Sequence, residues 1–102
     1  MFLVVFRNRK RADIDQAEYS ADAARMELLA REQPGFLSFK SYVADDGEVI
    51  ALSEWKSEAE ARAWGRHAEH LVVQGKGRLD YYESYTLFTC DNPRTHRFSA
   101  GG

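Results

Sequence analysis

The segment near the start of the chain constrains the fold most, because it is apolar on both of its faces. Residues 2–6 have the sequence Phe-Leu-Val-Val-Phe, and such β-branched and aromatic side chains are typical of a strand. Successive side chains of a strand lie on opposite sides of the sheet, so both sides of this strand need apolar cover. A layer of helices can cover only one of them.

Residues 13–33 are predicted to form the first helix, because apolar side chains recur there at spacings of four, three and four. Asp13 and Gln16 have the spacing of a capping pair at its start. Pro34-Gly35 ends it. The apolar stripe consists of Tyr19, Ala23, Met26 and Ala30.

The second helix is predicted to begin at a capping box formed by Ser57 and Glu60. Gly65 weakens the helix in its middle, so we expect a kink or a break there. Gly75 and Gly77 end the helical region. The apolar stripe of this helix consists of Ala61, Trp64, Ala68 and Leu71.

Three further strands complete the pattern. Residues 36–43 and 49–55 flank the turn Asp45-Asp46-Gly47, which predicts a β-hairpin. Residues 81–90 are rich in Tyr, Thr and Phe and are the last strand. The resulting order βαββαβ predicts an α+β, ferredoxin-like fold with a four-stranded antiparallel sheet and both helices on one face.

Composition limits the functional classes that fit this fold. A chain of 102 residues forms one domain, which we place at residues 1–91 and expect to be followed by a flexible tail at 92–102. The balance of 14 basic against 16 acidic residues disfavours a nucleic-acid or anionic-membrane surface, and the basic run at residues 7–11 is expected to be a solvated loop. No apolar run approaches the roughly 20 residues that span a bilayer. A single cysteine, Cys90, argues against internal disulfides and favours a cytoplasmic location.

The face of the sheet opposite the helices is also apolar. It would expose either Leu3, Val5, Ile50, Leu52, Tyr85 and Leu87 or the residues that alternate with them. A patch of that size is unusual on a soluble monomer. We therefore predict a homodimer in which sheet packs on sheet with two-fold symmetry.

The sequence resembles the antibiotic biosynthesis monooxygenase family of dimeric α+β barrels over about residues 1–90. The resemblance is carried by Pro34-Gly35-Phe36, by the strand Leu52–Ser57 leading into a helix, and by Trp64–His67. It implies a pocket in each subunit between the sheet and the helices. Characterised members oxygenate phenolic polyketides without metal or flavin, whereas a related branch binds and degrades haem through an Asn on strand one and a Trp and a His on helix two.

Four residues are the candidates for such a pocket. Asn8 has the parity of Val4 and Phe6 on the first strand, and the resemblance to the haem-degrading branch implies that it faces the pocket, where it would bind an oxygen of the substrate. The alternative is that Asn8 ends the strand and bonds the local backbone. Trp64 and Tyr82 would hold an aromatic ring, although each is equally suited to packing. His67 follows Trp64 by one helical turn and could accept a phenol proton as general base.

Two pairs of residues leave alternatives open. Either His67 or His70 could line the pocket, and this pair lacks the third ligand that a metal site needs, so no metal is predicted. Tyr82 and Tyr85 are three residues apart on a strand, which places them on opposite faces. We assign Tyr82 to the pocket because this matches the parity of Asn8.

The sequence thus favours an enzyme, a cofactor-independent monooxygenase that oxidises a small phenolic or quinone-like aromatic molecule with dioxygen. His67 would be its catalytic base, and Asn8, Trp64 and Tyr82 would bind the substrate. One alternative is a haem-binding or haem-degrading protein, for which neither His67 nor His70 has the usual distance from the Trp. The other is a non-enzymatic dimeric barrel that binds a hydrophobic metabolite.

Overall fold

The structure is a computed structural model that describes the backbone of residues 1–75 and 81–101 and the side chains of residues 1–68 and 81–101. Its elements are β1 (Phe2–Lys10), α1 (Gln16–Arg31), β2 (Phe36–Val43), β3 (Val49–Trp55), α2 (Glu58–Gly75) and β4 (Tyr82–Asp91). The strands form one four-stranded sheet in the order β2-β3-β1-β4, and all three neighbouring pairs are antiparallel. This confirms the predicted α+β, ferredoxin-like fold.

Strand β1 is longer than the apolar run predicts. Residues 7–10, expected in a solvated loop, continue the strand and pair with β3 or β4. Arg7 and Arg9 lie on the face without helices, where they form ion pairs with Glu48 and Asp46 at 3.2 and 2.6 Å. Charged side chains at these two positions are compatible with a strand, because residues two apart in a strand lie on the same side of the sheet.

Both helices begin at capped positions, one of them different from the prediction. Helix α1 begins after Asp15, whose carboxylate accepts a hydrogen bond from the Glu18 backbone N–H at 3.0 Å. The predicted cap at Asp13 is wrong, because that carboxylate pairs with Arg11 at 3.1 Å. At α2 the Glu60 backbone N–H donates to Ser57 Oγ at 3.3 Å, as the capping box predicts.

Helix α2 runs without interruption from Glu58 to Gly75. The expected break at Gly65 is therefore wrong, since one interior glycine costs only about 1 kcal/mol of helix propensity. The predicted end of the helix at Gly75 and Gly77 is not tested, because residues 76–80 lie outside the described residues. In the part of the chain that the structure describes, no helix is both long and apolar enough to cross a membrane.

A β-bulge in β4 changes which side chains face the helices. Tyr85 pairs with Asn8 and Ser84 with Arg9, but Tyr82 pairs with Lys10, so Glu83 is an extra residue in β4. Tyr82 and Tyr85 therefore lie on the same, helix-facing side, and their predicted placement on opposite faces is wrong. Leu87, which pairs with Phe6, is on that side as well.

The two faces of the sheet have different cover. On the helix-facing side, Phe2, Ala30, Trp55 and Ala61 form the buried core, with Val4, Phe36 and Trp64 packed against it. The opposite face carries Leu3, Val5, Ile50 and Leu52, as predicted, together with Phe88 in place of Tyr85 and Leu87. No element described by the structure covers this second face.

The turn between α1 and β2 depends on Gly35. Its backbone has φ +81°, in the left-handed region that favours glycine, and a Cβ atom there would collide with the Glu60 carboxyl group. Gly35 also accepts a hydrogen bond from the Lys56 backbone N–H at 2.8 Å. The chain therefore crosses closely over the first turn of α2 at this residue.

Replacing Gly35 with Ala should destabilise the protein more than the same change at Gly47. Gly47 has φ +89° and open space around it, so Gly47→Ala costs only the backbone strain, about 1–2 kcal/mol. Gly35→Ala adds the collision with Glu60, roughly 1–3 kcal/mol more. Urea unfolding of both variants tests the comparison, and equal losses would show that the contact with Glu60 has no steric consequence.

Candidate functional site

A cavity of about 500 Å³ lies between α1 and the helix-facing side of the sheet. We call it the α1 cavity. Its aromatic lining consists of Phe6, Tyr19, Phe39, Trp64, Tyr81 and Tyr82. Asn8, Glu18 and Asp22 are among the polar groups in its wall. Walls that combine aromatic and aliphatic side chains with a few polar groups are typical of a small-molecule site.

A second cavity of about 670 Å³, the α2 cavity, lies along α2 and the inner side of β1 and β4. Its lining includes Trp55, Arg66, Tyr85 and Leu87. The two cavities share four lining residues, which are Phe6, Met26, Trp64 and Tyr82. The shared residues place the cavities side by side and make Trp64 and Tyr82 part of both.

Asn8 is the buried polar residue of the α1 cavity, with 4% of its surface exposed. Its Oδ1 accepts a hydrogen bond from Lys10 Nζ at 2.6 Å. An ammonium group only donates, so the amide oxygen is the atom that faces Lys10. The amide NH₂ group is then the part of Asn8 that can donate to a ligand in the cavity.

Lys10 is half-buried beside the α1 cavity and contacts three residues that line it. Besides Asn8, these are Tyr19, whose ring centroid is 4.8 Å from Nζ, and Tyr82, whose ring centroid is 5.9 Å away. None of the ion pairs among the described residues includes Lys10. Burial lowers the pKa of Lys10 from its usual value, because the charged form loses hydration.

Tyrosines and one carboxylate form the end of the cavity at α1. Tyr81 O–H donates a hydrogen bond to Asp22 Oδ2. The Tyr19 ring packs edge-on against the Tyr81 ring at 5.3 Å and against the Tyr82 ring at 6.5 Å. Burial is the main cause that raises the pKa of Tyr19, so its phenol is neutral at physiological pH.

Trp64 and Tyr82 lie where the sequence predicts a ring-binding wall. Trp64 stacks on the buried Trp55 with centroids 6.3 Å apart. Tyr82 and Tyr85 both pack edge-on against Phe6, at 5.5 and 5.3 Å. These contacts hold the side chains in place, so the same residues serve packing and cavity wall.

His67 is the one predicted site residue that lines neither cavity. It is exposed on α2, with its ring centroid 5.7 Å from that of Trp64, and it lines neither cavity. Its neighbours Arg66 and Ala68 do line the α2 cavity, so His67 is next to that cavity. The side chain of His70 lies outside the described residues.

The structure adds Lys10, Asp22 and Tyr81 to the site, none of which the sequence analysis singled out. Lys10 was assigned to a solvated basic run, yet it follows Asn8 by two residues and therefore shares its face once β1 is extended. The two-residue spacing from Asn8 could therefore have identified Lys10 from the sequence. Asp22 and Tyr81 meet across 59 residues of chain, and no sequence pattern indicates the pairing.

The fold and the site together define a small α+β protein with a cavity, partly lined by aromatic residues, between its sheet and helices. The model of the antibiotic biosynthesis monooxygenase family matches residues 1–76, and the chain belongs to this family. The uncharacterized protein YqjZ of Bacillus subtilis is 42% identical over 69 residues, covering 68% of this chain and 60% of that protein. The chain thus aligns with less than two thirds of the length of this relative.

Solved structures of low sequence identity share the fold. SnoaB from Streptomyces nogalater, a cofactor-independent oxygenase, superposes with a TM-score of 0.69 at 17% identity, covering 99% of this chain and 97% of that chain. A mutant of MhuD, solved with two manganese protoporphyrin IX bound per active site, superposes with a TM-score of 0.68 at 16% identity over 100% of both chains. Identities this low establish the fold alone.

The described residues do not fit a haem held by histidine. Iron in such a centre needs an axial imidazole inside the pocket. Among the side chains that the structure describes, no histidine lines either cavity, and His67 is exposed on α2. We therefore derive no haem-dependent step.

The lowered pKa of Lys10 predicts how its contribution to stability changes with pH. The unfolded chain holds this proton more tightly than the folded one, so the contribution rises with pH from the folded-state pKa up to the usual value of 10.5. The difference in unfolding free energy between wild type and Lys10→Met should therefore increase across this alkaline range. Urea unfolding at several pH values measures it, with Lys40→Met, an exposed lysine of β2, as the control. A difference in unfolding free energy that does not change with pH would contradict the burial of the ammonium group.

Proposed function

We propose that the protein is a cofactor-independent monooxygenase that oxidises a small phenolic aromatic molecule with dioxygen. The observation that carries this proposal is the α1 cavity, which combines aromatic walls with one buried carboxamide and a nearby ammonium group. Such a site can bind a flat, electron-rich ring and fix the position of one oxygen atom. Membership of the monooxygenase family supports the reaction type.

Three residues have binding roles in this proposal. Trp64 and Tyr82 line both cavities, and in this proposal their rings pack against the aromatic ring of the substrate. The amide NH₂ of Asn8 donates a hydrogen bond to the substrate oxygen. With its own oxygen already bound to Lys10, Asn8 has one orientation in which it can do this.

The reaction needs deprotonation, orientation and exclusion of water. Loss of a proton makes the substrate an anion that can transfer one electron to dioxygen. Recombination of the two radicals forms a C–O bond, and loss of water leaves a carbonyl group. Overall, a CH₂ group and O₂ become C=O and H₂O, so atoms and electrons balance. The protein contributes by holding the ring in a desolvated cavity.

Two groups are candidates for the proton acceptor. His67 has an imidazole, a common general base, but it is exposed and lines neither cavity. Asp22 lines the α1 cavity, and its carboxylate is already oriented by the hydrogen bond from Tyr81. Position therefore favours Asp22, whereas the type of side chain favours His67.

The substrate-binding face of the sheet is separate from the proposed dimer face. We propose that two copies associate through the face with Leu3, Val5, Leu52 and Phe88, since no described element covers it. Phe88 and Tyr42 are 49% and 47% exposed in a single chain. The ion pairs of Arg7 and Arg9 border this apolar area and give it a polar rim, as in many protein interfaces.

Oxygen uptake by metal-free protein over a panel of anthrones, naphthols and hydroquinones tests the proposed activity. We expect saturable uptake that falls roughly 10²-fold or more in Asp22→Asn if this carboxylate is the base, or in His67→Ala if the imidazole is. Asn8→Ala should lower uptake with either base, because the substrate oxygen loses its donor.

If the oxygen-uptake experiment is negative, measurements of ligand binding distinguish the alternative functions. Saturable binding of the same aromatics without uptake, in a folded protein, would contradict the oxygenase and favour the non-enzymatic binding protein. A haem Soret band on adding haemin, lost in His67→Ala, would contradict the absence of a histidine-ligated haem site.

A charge on the uncovered sheet face should prevent association. Val5→Asp places a carboxylate between Leu52 and Phe88, and burying it in an apolar interface costs several kcal/mol. Sedimentation should show a dimer for wild type and a monomer for Val5→Asp, with circular dichroism confirming the fold. Leu28→Asp, at a 64% exposed position of α1, is the control and should stay dimeric. A monomeric wild type would contradict the proposed interface.

A further inference from the structure

We propose that Asn8 and Lys10 together bind the phenolic oxygen of the substrate as an anion, so that the site selects phenolates. This inference rests on the aromatic ligand of the proposed function and adds its ionisation state and a residue that controls it. Lys10 lines neither cavity and acts through Asn8, which makes it a positioning residue.

The geometry of β1 brings the two groups together. Asn8 and Lys10 are two residues apart on a strand, so both lie on the helix-facing side of the sheet. The bond of 2.6 Å between Lys10 Nζ and Asn8 Oδ1 polarises the amide and fixes its rotation. Its NH₂ group is thereby a stronger donor, and a negatively charged oxygen is the acceptor that gains most from it.

The ammonium group of Lys10 has no counter-charge in the part of the chain that the structure describes. Its other contacts are the rings of Tyr19 and Tyr82, at 4.8 and 5.9 Å, which attract a cation without neutralising it. A half-buried positive charge in this state favours an anion nearby. A phenolate oxygen bound to Asn8 would supply one.

The acidic residues around the same cavity weaken the attraction of an anion to Lys10 and Asn8 only in part. Glu18, Asp22 and Glu27 line the cavity from α1, and their negative charges would disfavour a phenolate. Arg25 also lines it from α1 and would favour one, and Glu27 is paired with Arg31 at 3.8 Å. Asp22 is engaged by the hydroxyl of Tyr81, and Glu18 is in the first turn of α1, where its carboxylate interacts favourably with the positive end of the helix dipole. Tyr19, whose ring is nearer to Lys10 Nζ than that of Tyr82, is neutral at physiological pH. The charged group that donates a hydrogen bond to Asn8 is the cation of Lys10.

The binding step releases one proton. The phenol O–H bond breaks, the electron pair stays on oxygen, and the proton passes to solvent or buffer. No oxidant is needed for this step, so binding and ionisation can be measured apart from turnover.

Absorbance titration of bound 4-nitro-1-naphthol tests the inference, because only its anion absorbs strongly in the visible. With saturating wild-type protein, we expect the pKa of the bound probe to be lower than that of the free probe by about one unit or more. Lys10→Met should remove this decrease, and Lys10→Arg, which keeps the charge, should retain most of it. Lys40→Met, at an exposed lysine outside the cavities, should behave as wild type.

The methyl ether of the same probe separates charge from shape. It cannot ionise, so its affinity should be equal for wild type and Lys10→Met within about two-fold. An unchanged probe pKa in wild type, or the same decrease in Lys10→Met, would overturn the inference. A decrease without any oxygen uptake would retain the phenolate site and overturn only the oxygenase, so the two proposals fail separately.

Discussion

The need to cover both faces of β1 determines how the rest of the molecule is arranged. This strand is central, pairing with β3 on one side and β4 on the other, and it is apolar on both faces over residues 2–6. Helices can supply only one layer of cover, and they do so with the core around Trp55. The remaining face is then available for a second copy, while polar residues farther along β1 alternate between the cavity and the outer surface. One strand thus contributes to the core, the proposed interface and the ligand site.

Local and periodic signals predicted much of this fold from the sequence. The stripe that includes Tyr19 and Ala30, the hairpin turn at residues 45–47 and the capping box at Ser57 all depend on residues that are near each other in the chain. The errors arose where neighbouring residues compete. Asp13 and Asp15 are equally suitable as caps by type, and the partner Arg11 decides which of them is available. At Gly65, the packing of α2 outweighs a small loss of helix propensity.

The site was less predictable, because strand parity holds only while the register is regular. The extra residue Glu83 places Tyr82 and Tyr85 on one face, and nothing in the local sequence marks it as a bulge. Tyr82 does lie on the cavity side of the sheet. The argument that Tyr85 must then lie on the opposite face is wrong. The contact between Asp22 and Tyr81 depends on the packing of α1 against the end of β4, which is a tertiary feature. His67, chosen for its chemistry and its spacing from Trp64, does contact the Trp64 ring, yet it lines neither of the cavities that Trp64 lines.

The cation beside Asn8 is the feature of the site that packing alone explains least. A methionine at this position would fill similar space between the rings of Tyr19 and Tyr82 without losing the hydration of a charge. The hydrogen bond to Asn8 offsets part of that loss of hydration. Asn8 is itself polar and buried, so both residues lose hydration on folding, whereas an apolar pair would not. A folding requirement does not account for both. The proposed phenolate site accounts for both, because the same two groups would stabilise a negatively charged oxygen in the cavity that Trp64 and Tyr82 line.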